Sequence, residues 1–217
     1  METEKIKPGI GEIARAVTGW FPTLTTQEQS ISLRLYQMLA DGAPVAPEAV
    51  AKSLDISRDV VEEVLQKWPG IHYDDDGKVR GYWGLAIPKT GHRFEVDGKT
   101  LYAWCAWDTL FMPELIGKSA NVESSCPVTK KTIRLTVTPQ AVESAKPGDI
   151  AVTFLLPDAG DDIENIRADF CRFIHFFSSG AAADGWIADH PETFRLSVNE
   201  AFELGKIKNK IQYGNVL

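Results

Sequence analysis

The sequence HRFEVDGKTLYAWCAWDTLFMPEL, residues 92–115, decides the fold that this chain is expected to adopt. Apolar residues alternate on both sides of Asp97-Gly98, a pair that favours a tight turn, so a hairpin is predicted over 92–102. The apolar run that follows predicts a helix from about Trp104 to Leu115. A hairpin that leads directly into a helix indicates an α+β fold.

A cysteine and an aspartate stand three residues apart in this stretch. If the segment is helical from Trp104 onward, Cys105 and Asp108 face the same side of the helix. A thiol in the first helical turn lies near unpaired N–H groups, which lower its pKa. The rings of Trp104, Trp107 and Phe111 would exclude water and raise the pKa of the carboxyl group. The pair indicates either a reactive site or a core thiol beside an aspartate that accepts backbone N–H groups.

Residues 1–85 are predicted to form a winged-helix-like, three-helix N-terminal domain. Its predicted elements are helices over 28–41, 47–54 and 57–67 and a hairpin formed by 71–73 and 79–85. Domains of this kind often bind DNA through a recognition helix in the major groove.

The charge of the candidate recognition helix argues against DNA. Its two cations, Arg58 and Lys67, are outnumbered by Asp59, Glu62 and Glu63, whereas a DNA reader presents a basic face. The formal net charge of −7 for the whole chain also argues against a large phosphate-binding surface. We therefore expect no nucleic-acid partner and a structural or interaction role for this domain.

Residues 86–217 are predicted to form a second domain, a mixed β-sheet flanked by helices. Residues 86–91 are expected to be the linker that precedes it. The further predicted elements are strands over 119–125, 132–138, 150–156 and 171–177, the last two in one sheet, and helices over 163–169, 181–189 and 197–212.

Cysteine content and hydropathy indicate the compartment. The three cysteines, Cys105, Cys126 and Cys171, include no Cys-x-x-Cys pair, which argues against a disulfide framework and a zinc site of the usual spacing. No apolar run approaches the roughly 20 residues that span a bilayer. Residues 1–5 lack the apolar core of a secretory signal. We expect a cytoplasmic protein with no membrane partner.

Two further positions bear on chemistry. His175 lies four residues after Cys171, and in a strand both would face the same side. A nucleophilic Cys-His pair is one interpretation, and a core thiol with a core or edge histidine is the other. Cys126, at a predicted strand end before Pro127, is interpreted as structural.

Several segments resemble one enzyme family. The segment Gly98–Gly117, centred on Leu-Tyr-Ala-Trp-Cys-Ala-Trp-Asp-Thr-Leu, looks like the signature segment of the organomercurial lyases. The segment Phe170–Phe177 resembles the family's second cysteine segment, and Val198–Phe202 resembles its C-terminal helix. The similarity extends back through Val79–Tyr82 and the helices before it, so it covers most of the chain.

The resemblance implies protonolysis of a carbon–mercury bond. It implies that Cys105, Asp108 and Cys171 are the catalytic residues, that they hold mercury as substrate and product, and that Cys126 is non-catalytic. Where some relatives have a further cysteine, this chain has Arg172. The substrate would be a small organomercurial, no cofactor is expected, and Hg(II) would pass to a mercuric reductase or to low-molecular-weight thiols.

The residues support this chemistry and leave two alternatives. Thiolates are strong protein ligands for soft cations, and a partly protonated aspartate can deliver a proton to carbon. The mechanism requires that the sulfurs of Cys105 and Cys171 approach within roughly 5 Å, judged from metal–thiolate bond lengths. One alternative is a soft-metal-sensing winged-helix regulator, and the other is a hydrolase that uses Cys105 and His175.

Overall fold

A computed structural model describes residues 9–156 and 166–217 of the chain and confirms the α+β class. The helices are α1 (Ile10–Thr18), α2 (Thr26–Leu39), α3 (Pro47–Leu54), α4 (Arg58–Lys67), α5 (Asp108–Ile116), α6 (Ile166–Asp169), α7 (Gly180–Ile187) and α8 (Val198–Tyr213). None of the helices in the described residues is long and apolar enough to cross a membrane.

The strands form two sheets. They are β1 (Ile71–Tyr73), β2 (Val79–Tyr82), β3 (Leu85–Ala86), β4 (His92–Val96), β5 (Lys99–Ala103), β6 (Ala120–Ser125), β7 (Thr132–Val137), β8 (Val142–Lys146), β9 (Ala151–Leu155), β10 (Phe176–Phe177) and β11 (Thr193–Ser197). The larger sheet has the order β1-β2-β3-β5-β4-β6-β7-β8, and the smaller one has the order β10-β9-β11.

The expected mixed sheet is wrong for the described residues, because every strand pair among them is antiparallel. Short connections between most consecutive strands explain this arrangement. Asp97-Gly98, for example, joins β4 to β5 in the predicted hairpin register, with Val96 opposite Lys99. A turn this short joins antiparallel strands, whereas a parallel pair needs a crossover of a dozen or more residues.

Most predicted helices and strands are present within one or two residues of the expected ends. The helix predicted over 163–169 is described only from Ile166, since 163–165 lie outside the described residues. Helix α1 and strands β8 and β11 were not predicted. Capping explains the start of α4, where Ser57 accepts the Val60 N–H, and a capping box at Ser197 begins α8.

Three predicted segments differ from the structure, and all three concern the site. The strand predicted over 79–85 breaks at Trp83-Gly84, where both residues have positive φ, and β3 then folds back onto β2. The helix predicted from Trp104 begins only at Asp108. The strand predicted over 171–177 is a 3-10 turn at Cys171–Phe173, and only β10 pairs with β9.

Candidate functional site

The structure brings together the three predicted site residues. The sulfurs of Cys105 and Cys171 and a carboxylate oxygen of Asp108 all lie within 4.8 Å of one another. This meets the distance required for one soft metal ion to contact both sulfurs. All three side chains are buried, and all three cysteines of the chain are free thiols.

The loop between β5 and α5 sets the position of Cys105. The Trp104 N–H donates to the carbonyl of Gly84, and the Cys105 N–H donates to Asp108 Oδ2 at 2.8 Å. Asp108 is the first residue of α5, so Cys105 precedes the helix and does not lie in its first turn. The aspartate therefore accepts a local backbone N–H and also faces the two thiols.

Cys171 lies in a turn that packs on the smaller sheet. Its 3-10 turn is held by Thr153 of β9, whose hydroxyl donates to the Phe173 carbonyl at 2.7 Å. The Ala106 N–H donates to the Ile174 carbonyl at 3.2 Å, which joins this turn to the Cys105 loop. The prediction that Cys171 and His175 share one face of a strand is wrong, because the turn rotates the chain between them.

Gly84 forms a wall of the site that sequence reasoning missed. An ideal Cβ at Gly84 would lie 2.6 Å from both Cγ and Oδ1 of Asp108, and its φ is +99°. Only glycine fits such a close approach and such a backbone angle without strain. The one sequence signal is a glycine inside an otherwise regular strand pattern, which often marks close backbone contact.

Burial controls the protonation of the trio. It raises the pKa of the Cys105 thiol well above its usual range. The hydrogen bond with Cys105 lowers the pKa of Cys171, but burial and the charge of Asp108 outweigh it, and the net shift is upward. Burial also raises the pKa of Asp108 to about 6. The expected rise of the Asp108 pKa is confirmed. The expected fall of the Cys105 pKa is wrong, because burial raises it and the residue lies outside the helix.

A buried lysine that interacts electrostatically with Asp108 was not predicted from the sequence. Lys208 of α8 is fully buried, with its ammonium 4.1 Å from the ring centre of Phe111 and 4.7 Å from that of Phe21. Burial lowers its pKa to about 7, and the negative charges of Asp108 and Glu114 oppose that fall. A lysine near the end of the chain carries no sequence signal that pairs it with Asp108.

Two cavities of different size meet at Cys171. An inner cavity of about 10 Å³ is bounded by Asp108, Cys171 and aromatic rings that include Trp107. It has room for about one water molecule, so an organic group can enter only if neighbouring side chains move. An outer cleft of about 810 Å³ shares Cys171, Trp83 and Trp104 with the inner cavity.

The remaining candidate residues are not part of the group whose ligand atoms lie within 4.8 Å of one another. His175 packs against Trp186, with ring centres 5.6 Å apart, and its pKa is lowered by burial. Cys126 is fully buried and its sulfur accepts the Thr129 N–H at 3.4 Å. Burial raises the pKa of Cys126, but hydrogen bonds from Thr129 and its neighbours outweigh burial and bring it to about 7.

Comparison with known proteins points to one family. A family model described as alkylmercury lyase matches residues 85–207, more than half of the chain. An alkylmercury lyase of Staphylococcus epidermidis is 46% identical over 172 residues, which are 79% of this chain and 78% of that protein. An alkylmercury lyase of Pseudomonas putida is 43% identical over 178 residues, 82% of each chain.

A solved structure has the same fold. The crystal structure of the mercury-bound form of MerB2 superposes with a TM-score of 0.73, covering 95% of this chain and 100% of that chain. The sequence identity in this comparison is 23%, so the likeness concerns the fold.

Proposed function

The chain belongs to the alkylmercury lyase family, and on that premise we propose that Cys105, Asp108 and Cys171 cleave the carbon–mercury bond of alkyl- and arylmercury compounds by protonolysis. The observation that carries this proposal is the approach of two thiols and one carboxyl oxygen to within 4.8 Å in a buried site. The regulator alternative has no support from the family, and the packing of His175 against Trp186 does not favour the hydrolase.

The proposed reaction converts R–Hg⁺ and two thiols into R–H, a mercury bis(thiolate) and one proton. One thiol binds mercury and releases its proton. The second thiol transfers its proton to Asp108 as its sulfur binds the metal. Two thiolates push electron density onto the carbon, which then takes the proton from Asp108 as the carbon–mercury bond breaks.

The protonation of the resting site supports these roles. Both thiols have raised pKa values, so each brings a proton to the reaction. Asp108, with a pKa of about 6, can accept one proton and return it near neutral pH. The apolar rings around the inner cavity suit an alkyl or aryl group and keep water from the carbon.

The proposed partners follow from this chemistry. We propose that Hg(II) leaves to a mercuric reductase or to low-molecular-weight thiols, because only another thiolate competes with two cysteines for this metal. Three free thiols also support a cytoplasmic location, where cysteines stay reduced.

We further propose that residues 1–85 form a winged-helix-like unit and 86–217 the catalytic domain. The order α2, α3, α4, β1, β2 and the bridge between Val45 and Val79 support the first part. No nucleic-acid role is proposed for it, since Arg58 pairs with Glu48 and Glu62, and Lys67 of the same helix pairs with an acidic neighbour.

Gas chromatography of the hydrocarbon product tests the proposal. The wild-type protein should release methane from methylmercury and benzene from phenylmercury. Cys105→Ser and Cys171→Ser should abolish release, and Asp108→Asn should lower turnover while both thiols still bind mercury. Full turnover in either cysteine variant would refute the proposed mechanism.

Cys126 provides the matched control. It is buried and free like the other two cysteines but lies outside the trio. Cys126→Ser should retain hydrocarbon release when the protein is folded by circular dichroism. An equal loss in all three serine variants would indicate a general effect on folding and would contradict the assignment.

A further inference from the structure

The outer cleft presents only one of the two site thiols. Cys171 is 7% exposed and lines both the cleft and the inner cavity, whereas Cys105 is 0% exposed and lines neither. A ligand that arrives through the cleft therefore meets the sulfur of Cys171 before that of Cys105.

The described part of the cleft lining carries charge opposite to that of the chain. The chain has a formal net charge of −7, yet the charged side chains among the described residues that line the cleft are Arg167 and Arg172. Both arginines are exposed. The Arg167 guanidinium lies 5.5 Å from the ring centre of Trp104, and that of Arg172 lies 4.6 Å from Phe173.

The histidines of the cleft add little positive charge. Burial lowers the pKa values of His72, His92 and His175, and that of His92 falls to about 4. All three are therefore neutral near pH 7. The two guanidinium groups are therefore the cations of the described part of the lining.

The organomercurial reaches the cleft bound to a carrier thiol, and the arginines of the cleft can attract the charge of that carrier. A soft cation such as R–Hg⁺ binds thiolates strongly, so in a thiol-containing compartment it travels as an adduct, R–Hg–S–R′. The outer cleft of about 810 Å³ has room for the carrier R′S without rearrangement, whereas the inner cavity of about 10 Å³ does not. Arginine recognises carboxylates through paired N–H groups, so a carboxylate-bearing carrier fits this lining.

We propose that the outer cleft is a binding site for the anionic thiol that carries the organomercurial, with Arg172 and Arg167 facing its carboxylate and Cys171 receiving the metal first. The proposal rests on the proposed lyase function and adds the carrier as a recognised part of the substrate. It also assigns an order to the two thiols.

The exchange step balances without any redox partner. The Cys171 sulfur forms a bond to mercury, the mercury–carrier bond breaks, and the Cys171 proton leaves with the carrier as R′SH. The product of this step is R–Hg bound to Cys171, beside Cys105 and Asp108. Protonolysis then follows as described above.

Methylmercury adducts with carriers of different charge test the proposal. We would measure kcat/KM for the mercaptoacetate, 2-mercaptoethanol and cysteamine adducts, which are anionic, neutral and cationic beyond the metal. The anionic adduct should exceed the cationic one by about tenfold or more at low salt, and the ratio should fall as salt screens the charges. Arg172→Gln with Arg167→Gln should bring the ratio to within about twofold, while Arg172→Lys should keep part of it.

Arg134 is the matched control, an exposed arginine of β7 outside the cleft. Arg134→Gln should leave the ratio unchanged. Equal kcat/KM for all three adducts in the wild-type protein would overturn the carrier site but not the lyase function. Absence of methane from every adduct would instead refute the proposed function.

Carrier release in the cysteine variants tests the order of the thiols. With one equivalent of adduct, Cys105→Ser should still release the carrier thiol, measured by NMR of its methylene group. Cys171→Ser should lose that exchange. Equal exchange in the two variants would overturn the assignment of Cys171 as the entry thiol.

Discussion

Replacement of Gly84 by alanine should damage both the site and the fold. The added Cβ would lie 2.6 Å from Cγ and Oδ1 of Asp108, about 0.8 Å short of ordinary contact, which begins at 3.4 Å. The carboxyl group has to move by about that distance or the backbone has to shift. A misplacement of about 1 Å in a catalytic group can lower the rate by about 10²-fold.

The same substitution should also lower the stability of the fold, for two reasons. An alanine at φ +99° is strained by about 1–3 kcal/mol, and overpacking in a tight interior costs about 1–3 kcal/mol more. We therefore expect the free energy of unfolding to fall by about 2–6 kcal/mol, measured by urea denaturation. The kcat for methane release should fall about 100-fold in the fraction that remains folded.

Gly77 separates backbone strain from contact with Asp108. Its φ is +74°, but an ideal Cβ there meets nothing within 4 Å. Gly77→Ala should lose about 1–2 kcal/mol of stability and keep its kcat. The reasoning is refuted if Gly84→Ala is folded and its kcat stays within about threefold of that of Gly77→Ala.

Three further predictions concern buried polar groups. Because the folded-state pKa of Asp108 is about 6, its contribution to the stability of the metal-free protein should fall by about 3 kcal/mol as pH rises from about 4 to about 6. Asp108→Asn should remove this contribution, measured as the difference between urea titrations of the two proteins at several pH values. Lys208 has a lowered pKa of about 7, so its contribution to stability falls as pH drops from about 10 to about 7. Lys208→Met should therefore increase stability at neutral pH. It should also raise the pKa of Asp108, measured by ¹³C NMR. Ser32 contacts the hydroxyls of Tyr82 and Tyr213 at 2.8 Å each, so Ser32→Ala should lower the free energy of unfolding by about 1–3 kcal/mol.

Exposed residues of the same types serve as controls for these variants. Lys210→Met and Ser144→Ala remove exposed side chains and should change stability by less than about 0.5 kcal/mol. An unchanged Asp108 pKa in Lys208→Met would contradict the electrostatic coupling. The same pH dependence of stability between pH 4 and 6 in the wild type and in Asp108→Asn would contradict the raised carboxyl pKa.

Local patterns predicted most of the elements. The hairpin at Asp97-Gly98 and the capped helix at Ser57 depend on neighbouring residues, and both are confirmed. The Cys105–Asp108 pair illustrates a correct grouping with a wrong geometric reason. The two residues meet because the carboxylate accepts the Cys105 N–H in a loop, not because they share a helical face.

Long-range contacts explain what the sequence left out. The apolar run after Cys171 suits a strand by periodicity, but its turn is set by Thr153, twenty residues before the Phe173 carbonyl that it bonds. Gly84 and Lys208 approach Asp108 from distant parts of the chain, and no spacing rule relates them to it. Such partners become visible only when the two sheets are packed together.

The two thiols are held in place by different sheets, so binding of a metal to both of them would also stabilise the fold. Cys105 follows a strand of the larger sheet and Cys171 belongs to a turn held by the smaller one, so mercury bound by both sulfurs acts as a cross-link between the sheets. A ligand that binds only the native state at about 100 times its Kd stabilises that state by about 2.7 kcal/mol. The product complex should therefore be the most heat-resistant form of the protein. Because the same affinity that protects the fold would slow departure of the metal, we expect turnover to rise when an outside thiol is added to open that cross-link.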